Sequence, residues 1–240
     1  MNLGYACINT IMSANGIMTN RTMRKKTFQA KGLEYVSDLA LLNVKDLKTI
    51  VQWNNENGVK LFRLSSQIFP WQDEYDFSSL KDYDPSPYNK INIHVGGAYG
   101  DKDLTLTRFV KNYSLLNDDT KKRLVIENDD SPNEYSVKDL HTGVYSKIGI
   151  PITFDYFHHK FNTGDLTEEE ALKLAATTWP QGVAQCCHYS ESRRKEKLDE
   201  SIRPQAHSDL IYERINTYGL EPDIVIEAKS KEQAIFKRVI

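Results

Sequence analysis

Five short apolar runs in this chain each end on a residue that carries chemistry, and they recur at a nearly constant distance. The closing residues are His94, Glu127, Asp155, His188 and Glu227, spaced 33, 28, 33 and 39 residues apart. A carboxylate or imidazole at the end of an apolar strand costs desolvation free energy unless it is paired or ligating. One such residue is ordinary, most often a hydrogen-bond acceptor or an ion-pair partner. Five in step constrain the fold, because a parallel sheet with one crossover per strand puts every strand tip on the same face.

The stretches between the runs support that arrangement. Strands are predicted over 3–8, 59–64, 91–95, 123–126, 151–154, 183–187 and 223–226, and helices over 32–57, 103–118, 135–147, 167–177 and 206–218. Strand and helix alternating at intervals of roughly 30 residues is the pattern of repeated βα units. The expected class is α/β, a TIM-type (β/α) barrel. Seven strands are recognisable where the closed form has eight, so an incomplete barrel is expected.

Two further histidines join the rim. His158 follows Asp155 by three residues, and His207 lies in the loop "RPQAHSD". Imidazoles and carboxylates are the ligand types for divalent ions, and seven candidates in register point to metal binding. His141, far from any strand tip, reads as structural or exposed. His159 reads as a packing or supporting neighbour of His158.

Bulk properties narrow the class. Of 240 residues, 40% are hydrophobic and 27% charged, enough apolar material for one soluble domain spanning 1–240. A formal net charge of −2 argues against coating nucleic acid by charge alone but leaves room for a local basic groove, and the basic clusters 21–26, 121–123 and 193–195 read first as solvated faces. Three cysteines, Cys7, Cys186 and Cys187, give no disulfide framework and suggest a reducing intracellular compartment, nucleus or cytoplasm. No uncharged apolar run is long enough to span a membrane, so no membrane partner is expected.

The missing strand can be located. Between Leu64 and Ile91 lies "SSQIFPWQDEYDFSSLKDYDPSPYNK", with three prolines and no sustained 3.6-residue period. Parallel neighbours need a crossover of about a dozen residues, usually helical. One βα unit is predicted to be absent here, with the junction near 84–88.

The chain resembles the UV-damage endonucleases, through "LGYACIN", "LFRLSSQIFPW", "HVGGAYGDK", "LVIENDD", "FDYFHHKFNTG", "CHYSES", "RPQAHSD" and "IEAKSKEQA". These stretches run in family order from one end to the other. The resemblance implies a DNA repair endonuclease that nicks the backbone 5′ to UV photoproducts in double-stranded DNA, working as a monomer. It implies a divalent metal cluster, manganese first, with zinc or magnesium as alternatives. The metal ligands it implies are His94, Glu127, Asp155, His158, His188, His207 and Glu227, with Glu127, His188 and Glu227 catalytic. Tyr5, Arg63, Gly96 and Gly97 match DNA-facing positions; their plain alternatives are a core aromatic, a strand ion pair and a turn. The family carries an additional strand before "HVGG", ending in a metal-binding histidine followed by a wedge of Gln and an aromatic residue. Residues 72–90 contain no histidine. A lysine that some bacterial relatives have two residues before the histidine matching His188 is Cys186 in this chain. A remnant that binds metal or DNA without nicking, and a sugar isomerase of the same architecture, are the alternatives.

Overall fold

A computed structural model describes residues 1–70 and 89–237. The predicted junction near 84–88 lies outside the described residues. Seven strands are present among them: β1 (Asn2–Ala6), β2 (Leu61–Arg63), β3 (Ile91–Ile93), β4 (Leu124–Glu127), β5 (Ile152–Asp155), β6 (Cys186–Tyr189) and β7 (Asp223–Ile226). All seven predicted strands are found, 223–226 with its predicted ends and the other six with shifted ones. Contacts divide the described residues into two compact units. One holds 89–208 and 213–224 with Met1, and the other holds 2–70, 209–212 and 225–237.

In the first unit the neighbour order is β3-β4-β5-β6, with the start of β7 beside β6. The three pairings with a defined register are parallel. Every residue of β4, β5, β6 and β7 is buried. This is what a parallel sheet covered on both faces requires, and it explains their near-continuous apolar sequences. The register carries the site: Glu127 lies across from Thr153, and Asp155 across from His188.

The crossovers follow their caps. Asp101 accepts from the Leu104 amide and opens the helix Lys102–Tyr113, while Asn117 opens a separate one, Asp118–Arg123. The predicted 103–118 helix is therefore split, because Asn117 favours capping over continuing a helix. Ser136 and Asp139 form a reciprocal capping box before Val137–Leu140, and Thr167 with Glu170 does the same before Glu168–Ala176. After Val137–Leu140 the chain widens into a π turn, His141–Tyr145, and ends at left-handed Gly149.

The helix predicted over 206–218 is not there. Ile211 and Ile215 are buried at helical spacing, but the backbone donors go elsewhere. The Ser208 amide bonds to the Glu191 carbonyl, and the Glu213 amide bonds to the Glu191 carboxylate. Each amide committed to residue 191 is lost to an intrahelical ladder.

In the second unit β1 pairs in parallel with β2, aligning Gly4 with Leu61, Tyr5 with Phe62 and Ala6 with Arg63; the end of β7 neighbours β1. The long helix Lys25–Glu56 is broken at Gly32, whose φ of 71° is non-helical. Gly4 sits where a Cβ would collide with the backbone carbonyl and Cβ of Leu61. Gly4→Ala is therefore expected to cost about 1–3 kcal/mol, read as a lower urea midpoint. An unchanged midpoint would mean that the two strands are not this close in solution.

Parallel strands joined by helical crossovers are the predicted TIM-type (β/α) class, in an incomplete form with seven strands among the described residues. None of the described helices is long and apolar enough to cross a membrane. The cysteines are free: Cys186 and Cys187 are buried and Cys7 is half-buried.

Candidate metal centre

Glu127 is the hub of the first unit. It ends β4, its carboxylate is almost fully buried, and three imidazoles surround it. His188 Nδ1 lies 3.0 Å from Oε1, His158 Nδ1 lies 3.5 Å from Oε1, and His94 Nε2 lies 3.7 Å from Oε2. The Asn92 side-chain amide donates to the same Oε2. Burial works to raise the Glu127 carboxyl, but His188, His94 and His158 together outweigh it and hold it well below the usual carboxylate range.

Asp155 supplies the second carboxylate, at the end of β5 and fully buried. Its Oδ1 accepts from the amides of Phe157 and His158, at 2.7 and 2.8 Å, which caps the short helix Tyr156–His159. That cap fixes His158 as well as the carboxylate. Asn128 bonds both ways to the Asp155 backbone, accepting from its N–H and donating to its carbonyl.

Two of the imidazoles are oriented by partners outside the cluster. His158 Nδ1 sits 2.8 Å from the Asn128 carbonyl, which places the ring proton on Nδ1 and leaves Nε2 as the nitrogen that could ligate. His94 Nδ1 sits 2.7 Å from Asp129 Oδ1. This hydrogen bond is the main reason the His94 pKa is raised to about 9, against burial and with help from Glu127. His158 is also raised: burial would lower it, and Asp155, Glu127 and the Asn128 carbonyl together prevail.

Two groups of side chains could hold a metal ion, His94 with Glu127 and His158, and Glu127 with Asp155 and His188. In each group the donor atoms lie within 4.8 Å of one another. Both share Glu127. The donor set fits a divalent ion: a buried carboxylate among imidazoles is costly without a cation and is what hard-to-borderline metals prefer.

The structure thus brings together five of the seven predicted ligands. His207 stands beside them, its ring 6.5 Å from His158 and 5.5 Å from Phe157. Glu227 belongs to the second unit, where Arg63 holds it at 2.5 Å. Tyr5 is fully buried in that unit, donating to Asn54 at 2.7 Å and accepting from Asn9. Those surroundings favour the core-aromatic reading over a DNA contact. Gly96, at φ 97°, has open space where a Cβ would be. His159 packs on Phe154, and burial lowers its pKa, as a packing role requires. His141 lies against Tyr145.

Sequence reasoning missed Asn92, Asn128 and Asp129. A usable signal existed for two of them. Side chains two apart on a strand share a face, so Asn92 accompanies His94, and Asp129 accompanies Glu127. Asp129→Asn is expected to weaken Mn²⁺ binding on the order of 10- to 100-fold, as loss of a supporting carboxylate on a ligating histidine does. Calorimetric titration with MnCl₂ measures it; equal affinity would show that Asp129 does not orient His94.

The model of the UV-endonuclease UvdE family matches residues 1–79 and 75–239. The chain belongs to this family. Among its relatives is a UV-damage endonuclease of Schizosaccharomyces pombe, 32% identical over 301 aligned positions, covering 98% of this chain and 49% of the relative. A UV DNA damage endonuclease of Clostridium perfringens is 28% identical, covering 99% of this chain and 69% of the relative. The crystal structure of SacUVDE matches with a TM-score of 0.78 and 25% identity, covering 99% of this chain and 96% of that one. The chain spans about half the length of the S. pombe relative.

Proposed function

We propose that this UvdE-family chain is a metal-dependent DNA endonuclease that nicks the phosphodiester backbone 5′ to UV photoproducts in duplex DNA. The observation that carries the proposal is Glu127, a buried carboxylate shared by two potential ligand groups and encircled by three imidazoles. His94, Glu127, Asp155, His158 and His188 would hold the ions, with His207 joining them and manganese the preferred metal. Divalent ions supply Lewis acidity toward a phosphate and lower the pKa of a nearby water.

The chain's own residues do the positioning. Asp129 and the Asn128 carbonyl fix the tautomers of His94 and His158, so each presents Nε2. The amides of Phe157 and His158 hold the Asp155 carboxylate. Gly96, with open space where a Cβ would be, lets the backbone approach a phosphate closely, next to Gly97. In the second unit Arg63, paired with Glu227, is a candidate cation for a DNA phosphate.

We further propose that 1–240 is one domain from which a βα unit is missing between β2 and β3. In support, the family match is divided into segments that meet at 75–79, and the S. pombe alignment runs over more positions than the 240 residues of this chain. That feature favours a second reading, a remnant that binds metal and DNA without cutting. Incubating the purified protein with UV-irradiated duplex and Mn²⁺ decides between them. Nicking above the undamaged control supports the first; binding without nicking supports the second.

A further inference from the structure

We propose that Tyr99 is a base-stacking platform, the residue on which this chain rests an exposed base of its nucleic-acid substrate. This rests on the nucleic-acid reading above and deepens it. Three observations carry it, all from the loop that leaves β3 after His94.

Tyr99 is 88% exposed, so its ring contributes almost nothing to the core. Its backbone is nevertheless held in the left-handed region, at φ 50°, and Gly100 follows at φ 83°. The Asp101 amide bonds to the Ala98 carbonyl at 2.9 Å and closes the turn. A turn with positive φ at both central positions is the type I′ pattern, which favours Asn-Gly or Gly-Gly. A bulky aromatic at its first central position is strained. A residue that costs the fold something and returns no packing is kept for what it meets outside.

The turn is also braced by hydrogen bonds. Ala98 is buried, its carbonyl additionally accepts from Thr105 Oγ1 at 3.1 Å, and Asp101 caps the next helix. The Tyr99 ring is thereby set on a braced support five residues from His94. On one side it lies over Gly97, where a Cβ would stand 3.6 Å from Cζ in ordinary contact. Its exposure leaves the remainder of the ring to solvent. An exposed aromatic on a braced turn, in the loop that leaves β3 after His94, is a surface on which an unstacked base settles, because every base offers a π face.

The test compares Y99N and Y99F with the wild type by thermal melting and by binding to a fluorescent duplex carrying one pyrimidine dimer. A methylphosphonate linkage 5′ to the dimer keeps the strand uncut with Mn²⁺ present, and a 2-aminopurine opposite the dimer reports stacking. Asn suits the type I′ position, so Y99N is expected to melt no lower than the wild type. It should bind on the order of 5- to 100-fold more weakly and lose the 2-aminopurine quench. Y99F keeps the ring and should behave as the wild type. Y99N binding as tightly as the wild type overturns the inference and leaves the nucleic-acid reading intact. A lower melting point for Y99N, or a Y99F defect equal to that of Y99N, also overturns it, since the ring would then serve the fold or the hydroxyl would carry the contact. A wild type that binds no DNA overturns both readings.

Discussion

Replacing Glu127 with Gln is expected to abolish Mn²⁺ binding and to reduce nicking of UV-irradiated duplex to the metal-free background. The amide has the same shape, so the Asn92 side chain keeps an acceptor and His188 keeps a polar neighbour. What disappears is the negative charge at the point where both ligand groups meet. His94 and His158 are held above their ordinary pKa partly by that charge, so both shift downward and shed protons more easily. The fold is expected to survive with a loss of about 1.5–3 kcal/mol, the range for a hydrogen bond to a charged group. Urea denaturation reads that loss, and calorimetry with MnCl₂ reads the binding. Unaltered nicking by E127Q would show that Glu127 is not a ligand and would falsify the assignment of the hub.

Much of this centre was legible because strand tips in a parallel sheet share a face. The reading of His94, Glu127, Asp155 and His188 needed only the strand spacing, and the observed registers set Asp155 beside His188. His158 followed from a three-residue step that the Asp155 cap turns into a helical one. The shortfalls have definite causes. Strand β6 begins at Cys186 rather than near 183 because Gly182 takes a positive φ and the Val183 amide turns back to the Pro180 carbonyl. The predicted helix over 206–218 had the right apolar spacing, yet Glu191, distant in sequence, takes two of its amides. Such tertiary competition for backbone donors leaves no trace in local periodicity. Asn128 was invisible for the same reason: its work is done through a carbonyl and a side chain aimed at a neighbouring strand. Tyr99 was hidden differently, since "GAYG" reads as an ordinary turn until the φ of its tyrosine is known.

Metal affinity is expected to rise steeply with pH, about 100-fold between pH 6.5 and 8.5. Without metal, His94 is bonded to Asp129 and titrates at about 9, so it is largely cationic across this range. The sign follows from linkage. A raised histidine pKa stabilises the metal-free fold fully below about 6.5, its unfolded value. That contribution is lost as pH rises through about 9. Ligation requires the neutral ring, so each ion bound at His94 expels one proton, and affinity gains about tenfold per pH unit. His158, also raised, adds to the slope. Glu127 does not, because its carboxyl is held well below the usual range and is ionised throughout. Its own contribution to stability is present above about 4.5 and is lost only as pH falls through its depressed value, far from this window. Calorimetry in buffers of different ionisation enthalpy counts the protons directly, with at least one released per ion expected near pH 7.5. In D129N the main cause of the raised His94 pKa is gone, so the slope flattens while the affinity at low pH falls less than at high pH. An affinity that stays constant from pH 6.5 to 8.5 would mean that no protonated imidazole is displaced, and His94 would have to be removed from the ligand set.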